Sequence, residues 1–150
     1  MNPLPPLLAE ALAAANPDAV LRETIRHFGC AAGTIHLLRE GVLKLAAHEG
    51  IPPPVVQLVE TVPLGKGIAG LAAERREPIT ICNLQTDTSG QARPAARTTG
   101  LEGSLAVPML LEGELRGVFG IAKAEAYDWP AEEVQLLTEI ARQLASALAR

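Results

Sequence analysis

The sequence is poor in aromatic residues, with one Trp, one Tyr and two Phe in 150 positions. Its core must therefore be mainly aliphatic. It holds only two cysteines, Cys30 and Cys82, and no CxxC pair. That excludes a disulfide framework and points to a reducing, cytoplasmic setting. No apolar run approaches the roughly 20 residues that a membrane span needs, so no membrane partner is expected. There is no basic excess: 13 Lys and Arg stand against 17 Asp and Glu, a net charge of −4. Nucleic-acid binders usually need a basic face, so nucleic acid is not an expected partner either. The opening Met1-Asn2-Pro3 lacks the basic segment of a signal peptide, and none is expected. What remains is globular. With 48% hydrophobic and 20% charged residues, the chain can bury one core and is too short for two full domains. The 13 Gly and 12 Pro predict many turns.

Periodicity orders the elements. Leu4, Leu7, Leu8, Ala11, Leu12 and Ala15 recur at helical spacing. Asn16-Pro17-Asp18 interrupts them, and Pro17 opens a second helix. Leu21, Ile25 and Phe28 form its buried side, and Gly29 stops it. Two β-prone runs, 34–39 and 42–48, flank the hairpin turn Glu40-Gly41. Short helices are predicted over 55–60 and 67–76, and a short strand over 79–82. A second hairpin pairs 104–111 with 114–123 around Glu112-Gly113. A final helix opens at Pro130, with Asp128 as its candidate cap. In it Val134, Leu137, Ala141, Leu144 and Leu148 follow spacings of three and four, with Leu136 and Ile140 as a second apolar edge. One reading packs this stripe on the domain's own sheet. The other makes those five residues a dimerisation seam. Consecutive hairpins with helices at both ends predict an α+β fold around an antiparallel sheet.

An ordered set of segments carries a family resemblance. It comprises PLGKGIAG (63–70), PITICN (78–83), the hairpin from SLAVPM to EGELRGV (104–118), and WPAEE (129–133) before a long helix. Together they resemble the GAF domain family, which is related to PAS, over about 18–148. The resemblance implies one such domain in 1–150, with a core at 18–148 and an N-terminal helix, 1–16, as a further dimerisation element. It implies a central antiparallel sheet with the N- and C-terminal helices on one face. A ligand pocket lies on the other face, under short helices and a long loop. The implied function is a non-enzymatic regulatory or sensory module. It would bind an unidentified small molecule, anionic in one reading, and pass the signal through its terminal helices. The setting would be signal transduction or transcription regulation. A homodimer is the expected assembly, with a kinase or other output domain in the same pathway. No cofactor is named. The alternative is a ligand-free dimerisation module. A free methionine sulfoxide reductase is disfavoured by the cysteine count. Cyclic-nucleotide binding is disfavoured because, of that subgroup's pattern, only Lys123 survives among Ala122, Lys123, Trp129, Glu133 and Val134, although Glu133 could pair with it.

Candidate ligand-binding residues follow. Residues 85–100, QTDTSGQARPAARTTG, form a long loop with almost no apolar anchor, and such loops are usually functional or mobile. Arg93 and Arg97 could grip an anion bidentately, with Thr98 and Thr99 adding hydroxyls. The plainer reading is two solvated arginines. His36 shares a strand face with Thr34 and Leu38, and it either lines the pocket or serves as a satisfied structural histidine. Cys82, opposite in parity to Ile81, is expected toward the pocket, as is Ser104. Gly65-Lys66-Gly67-Ile68-Ala69-Gly70 matches GxGxxG literally. Val62-Pro63-Leu64 is a poor preceding strand, however, and Asn83 stands where an acid would be wanted. It reads as a tight turn whose amides near Gly67, with Lys66, could hold an anion. His27 and Cys30 lack a second ligand pair, so no metal is expected. Trp129 is expected at the junction of last strand and last helix, its indole N–H in need of a partner.

Overall fold

The computed structural model describes residues 3–92 and 99–150. Among them are five helices and six strands. In chain order they are α1 (Pro6–Ala13), α2 (Pro17–Phe28), β1 (Ala32–Arg39), β2 (Val42–Glu49), α3 (Pro53–Leu58), β3 (Thr61–Pro63), α4 (Gly67–Arg75), β4 (Ile79–Ile81), β5 (Ser104–Leu111), β6 (Glu114–Ala122) and α5 (Ala131–Leu148). The strands make one antiparallel sheet in the order β3-β2-β1-β6-β5-β4.

Local chemistry explains the boundaries. The Asn16 side chain accepts a hydrogen bond from the Ala19 amide at 3.2 Å, and Pro17 opens α2 without needing a donor. Gly29 ends it in the left-handed region at φ 66°. Both hairpins turn on Glu-Gly pairs in which each residue has positive φ: 53° and 81° at Glu40-Gly41, 52° and 80° at Glu112-Gly113. That geometry matches the twist of the flanking strands. Two expectations need correction. Thr61–Pro63 is a strand after all, because an edge position tolerates a proline that cannot donate on one side. Asp128 does not cap α5, which begins after Pro130 with no side-chain cap. Its carboxylate instead acts on the Cys82 thiol, whose pKa it raises.

Strand alternation sorts the core into two layers. Ile35, Phe119 and Val107 stand side by side across β1, β6 and β5. All three are fully buried against α1, α2 and α5, among Leu8, Leu21, Leu137, Ile140 and Leu144. The neighbouring row, Thr34, Gly120, Ala106 and Ile79, faces the opposite side, where α3 and α4 lie. There Leu43, Val62, Ala72, Ala73, Ile79, Ala106 and Val118 form a second, smaller cluster.

The proposed seam on α5 is corrected by this packing. Leu137, Ala141 and Leu144 are each 0% exposed within this chain's own core. They are spent on the sheet and present nothing to a second copy. Fully burying a leucine is worth about 1.5–3 kcal/mol, so this face is the domain's own support. Val134 is half-buried against the same core, and Leu148 is exposed.

Candidate functional site

The second face of the sheet holds a cavity of about 170 Å³. Its floor is the end of the sheet remote from both hairpin turns: Ala32, Gly33 and Thr34 of β1, Ser104 to Ala106 of β5, and Gly120 to Ala122 of β6. Its roof is Val55, Leu58 and Val59 from α3 and the residue after it, with Lys66 to Ala69 from the opening of α4. Ile51, Val62, Leu84 and Leu101 complete the apolar wall. Space exists here partly because Gly120 has no side chain: a Cβ built on it would meet nothing closer than Thr34 Oγ1 at 3.5 Å.

Five polar residues join this wall: Thr34, His36, Lys66, Thr99 and Ser104. His36 is the most buried, at 2% exposure. Its Nε2 donates to the Val59 carbonyl oxygen at 2.8 Å, which ties β1 to the end of α3. Its Nδ1 is buried and has no partner among the described residues. Burial pushes the imidazole below its ordinary pKa, and the bond to Val59 only partly offsets this. At the roof, no side chain caps α4. The first amides of a helix have no partner within it, and those of Gly67, Ile68 and Ala69 belong to cavity-lining residues. The GxGxxG turn is built for packing. Gly65 N donates to the Gly70 carbonyl at 2.8 Å, and a Cβ on Gly70 would fall 2.6 Å from the Pro63 carbonyl oxygen.

The structure thus brings His36, Thr99 and Ser104 to one cavity. Arg93, Arg97 and Thr98 lie outside the described residues. Cys82 is corrected: it is exposed and is not among the cavity-lining residues. Ile79 and Ile81 are the inward pair of β4, so Cys82 follows the outward parity of Thr80. Its thiol pKa is raised, first by the hydrogen bond to Asp128 and then by desolvation and the same carboxylate's charge. Cys30 packs against the helix-side core, and desolvation pushes its thiol up to about 11. Among the described residues no His, Cys, Asp and Glu cluster could hold a metal ion. The loop does have anchors at its base. Leu84 and Leu101 are buried, Leu84 N donates to the Glu102 carbonyl at 2.8 Å, and Gln85 Nε2 donates to the Leu101 carbonyl at 2.8 Å. The residues missed from sequence are Val59, whose carbonyl holds the histidine, and Gly120. Only the strand alternation that places His36 and Thr34 on one face hinted at them.

A six-stranded antiparallel sheet, with terminal helices on one face and a small walled cavity on the other, defines a sensor-type α+β domain. The GAF domain family model matches residues 18–149, and the chain belongs to that family. GAF domains are in general sensory or regulatory small-molecule-binding modules, often joined to kinase or other output domains. The chain is similar to the GAF domain of a phosphoenolpyruvate-protein phosphotransferase from Coxiella burnetii, at 25% identity and TM-score 0.75, covering 97% of this chain and 84% of that one. The corresponding Acinetobacter domain has 20% identity and TM-score 0.76, with 95% and 90% covered. The fold is also shared with a free methionine-R-sulfoxide reductase from Neisseria meningitidis, solved with its substrate, at 15% identity and TM-score 0.76, with 95% and 86% covered. No curated protein sequence matches the chain. No described helix is long and apolar enough to cross a membrane.

Proposed function

We propose that the chain is a non-catalytic regulatory module, a single GAF domain over 1–150 with its core at 18–148, that binds a small molecule in this cavity. The observation that carries the reading is a walled, largely apolar space with a buried, half-satisfied histidine on its wall. Lys66 and the uncapped start of α4 favour an anionic or carbonyl group at the roof. Arg93, Arg97 and Thr98 would add to this from the loop. Signalling to an output domain through α1, α2 and α5 requires the ligand to bind one arrangement of those helices better than another. A cytoplasmic setting suits two free cysteines. A homodimer is the proposed assembly, and the exposed Leu148 and Leu7, 36% and 54% exposed, are the apolar positions left for it on the helical layer.

The position of the thiols argues against the reductase reading. Neither cysteine lines the cavity, and the pKa of each thiol is raised, Cys30 by desolvation and Cys82 first by Asp128, which lowers its thiolate fraction. Native mass spectrometry of the protein as purified from cells tests the proposal. The expected result is a retained small mass that is lost in Gly120→Val, which fills the cavity floor. An adduct-free dimer with no thermal shift against a metabolite panel would favour a ligand-free dimerisation module instead.

A further inference from the structure

On the reading that this cavity is the ligand site, its floor narrows what the ligand can be. Thr34, Gly120 and Ala106 stand side by side across β1, β6 and β5, and Ala32, Ala122 and Ser104 form the next row. Strand alternation puts both rows on one face, and these six residues line the cavity. Their polar side chains are two hydroxyls. That of Thr34 is the better placed. A Cβ built on Gly120 would lie 3.5 Å from Thr34 Oγ1, so this oxygen leans over the gap that the missing side chain leaves. It has no hydrogen-bond partner among the described residues, yet it is not sealed away as Thr24 Oγ1 and His36 Nδ1 are. Thr99, by contrast, already accepts from the Leu101 amide at 3.1 Å. Thr34 Oγ1 is an open, unspent hydrogen-bonding group at the bottom of an apolar space.

From this juxtaposition we infer that Thr34 selects what is seated on the floor: an uncharged hydroxyl, amide or carbonyl group at one end of a small apolar body. A hydroxyl both donates and accepts, so it serves any of the three. It cannot offset a buried charge, which needs a counter-charge or several hydrogen bonds. Lys66, the one charged side chain on the described wall, is exposed at the roof. A charged end is therefore kept off the floor and left to the roof. Size sets the scale of the body: the volume of about 170 Å³ is close to the roughly 150 Å³ of an apolar cavity that admits benzene.

Thr34→Val tests this on the full chain, because valine keeps the branched shape and the strand preference and removes the hydroxyl. Its melting temperature is expected to equal or exceed that of the unmodified protein. A clear drop means that the hydroxyl is spent within the fold, and overturns the inference. Calorimetric titration then compares phenol with toluene, a pair of like shape in which a methyl replaces the hydroxyl. Thr34→Val is expected to weaken phenol about tenfold relative to toluene, the scale of one buried hydrogen bond. An unchanged ratio, or toluene binding where phenol does not, overturns the inference and leaves the cavity as a ligand site. Failure of both to bind the unmodified protein overturns the cavity reading itself, and the inference with it. Benzoate weakened by Thr34→Val as much as phenol places a charge on the floor and overturns the uncharged class.

Discussion

Lys123 Nζ, one residue beyond β6, donates a 2.7 Å hydrogen bond to the Phe28 carbonyl at the end of α2. The same ammonium lies 4.4 Å from the Tyr127 ring centroid and 5.7 Å from that of Trp129. A helix C-terminus and two aromatic faces therefore hold a buried charge. Glu133 does not pair with it. That carboxylate instead accepts from the Tyr127 hydroxyl. Lys123 thus serves as a structural clamp, with no place among the cavity-lining residues.

Removing the clamp should cost stability without touching the cavity wall. Lys123→Met keeps the apolar stem and takes away the donor to Phe28. The expected loss is about 1–3 kcal/mol, the cost of stranding a buried acceptor. Urea denaturation measures it.

Two glycines on adjacent strands should respond oppositely to the same change. A Cβ on Gly33 would sit 2.8 Å from the Gly120 carbonyl oxygen and 2.8 Å from Leu21 Cδ1. Gly33→Ala should therefore destabilise by about 1–3 kcal/mol through overpacking. A Cβ on Gly120 meets only Thr34 Oγ1 at 3.5 Å and the Leu105 carbonyl oxygen at 3.8 Å. Gly120→Ala should fold at least as stably as the unmodified chain. Melting temperature separates the two.

Stability should fall on mild acidification, with His36 as one cause. Burial holds its folded pKa below the ordinary 6.5. The unfolded chain therefore takes up the proton first. The resulting stability is complete above pH 6.5 and declines as pH falls through that value toward the folded pKa. Urea midpoints across this range should slope less steeply in His36→Phe.

The helical layer offers a test of assembly. Leu144→Ala should cost about 2–5 kcal/mol as a core truncation, by the same amount at every protein concentration. Changing the exposed Leu7 and Leu148 to Glu should leave stability nearly unchanged and lower the mass in solution if two copies meet there. Sedimentation reads that mass.

The two thiols should label unequally. Cys30, with its pKa pushed to about 11, should resist iodoacetamide near neutral pH, while the exposed Cys82 reacts. Asp128→Asn should speed Cys82 labelling by removing the carboxylate that raises its pKa. Intact mass after timed quenching counts the adducts.

Much of the fold was legible because its signals are local. Asn16 and Gly29 bracket α2, and the Glu-Gly pairs mark both hairpins, through backbone preferences that need no tertiary context. What covers an apolar face is not local. The spacing of Leu137, Ala141 and Leu144 defines a stripe, but only packing shows that β5 and the core already occupy it. The three residues of β3 were hidden by Pro63, because a proline counts against a strand until its edge position is known. His36 and Ser104 were readable from alternation. Cys82 went astray because Ile79 and Ile81 point to the cavity side rather than to the terminal helices. Val59 acts through its backbone carbonyl, which a side-chain reading cannot detect.

The clamp also fixes how far a disturbance must travel. Ala122 belongs to the cavity floor. Its carbonyl accepts from the Ala31 amide at 2.9 Å, and its chain neighbour Lys123 is bonded to the last turn of α2. A molecule held in that space would lie one peptide link from Lys123, whose side chain reaches across to the root of a terminal helix.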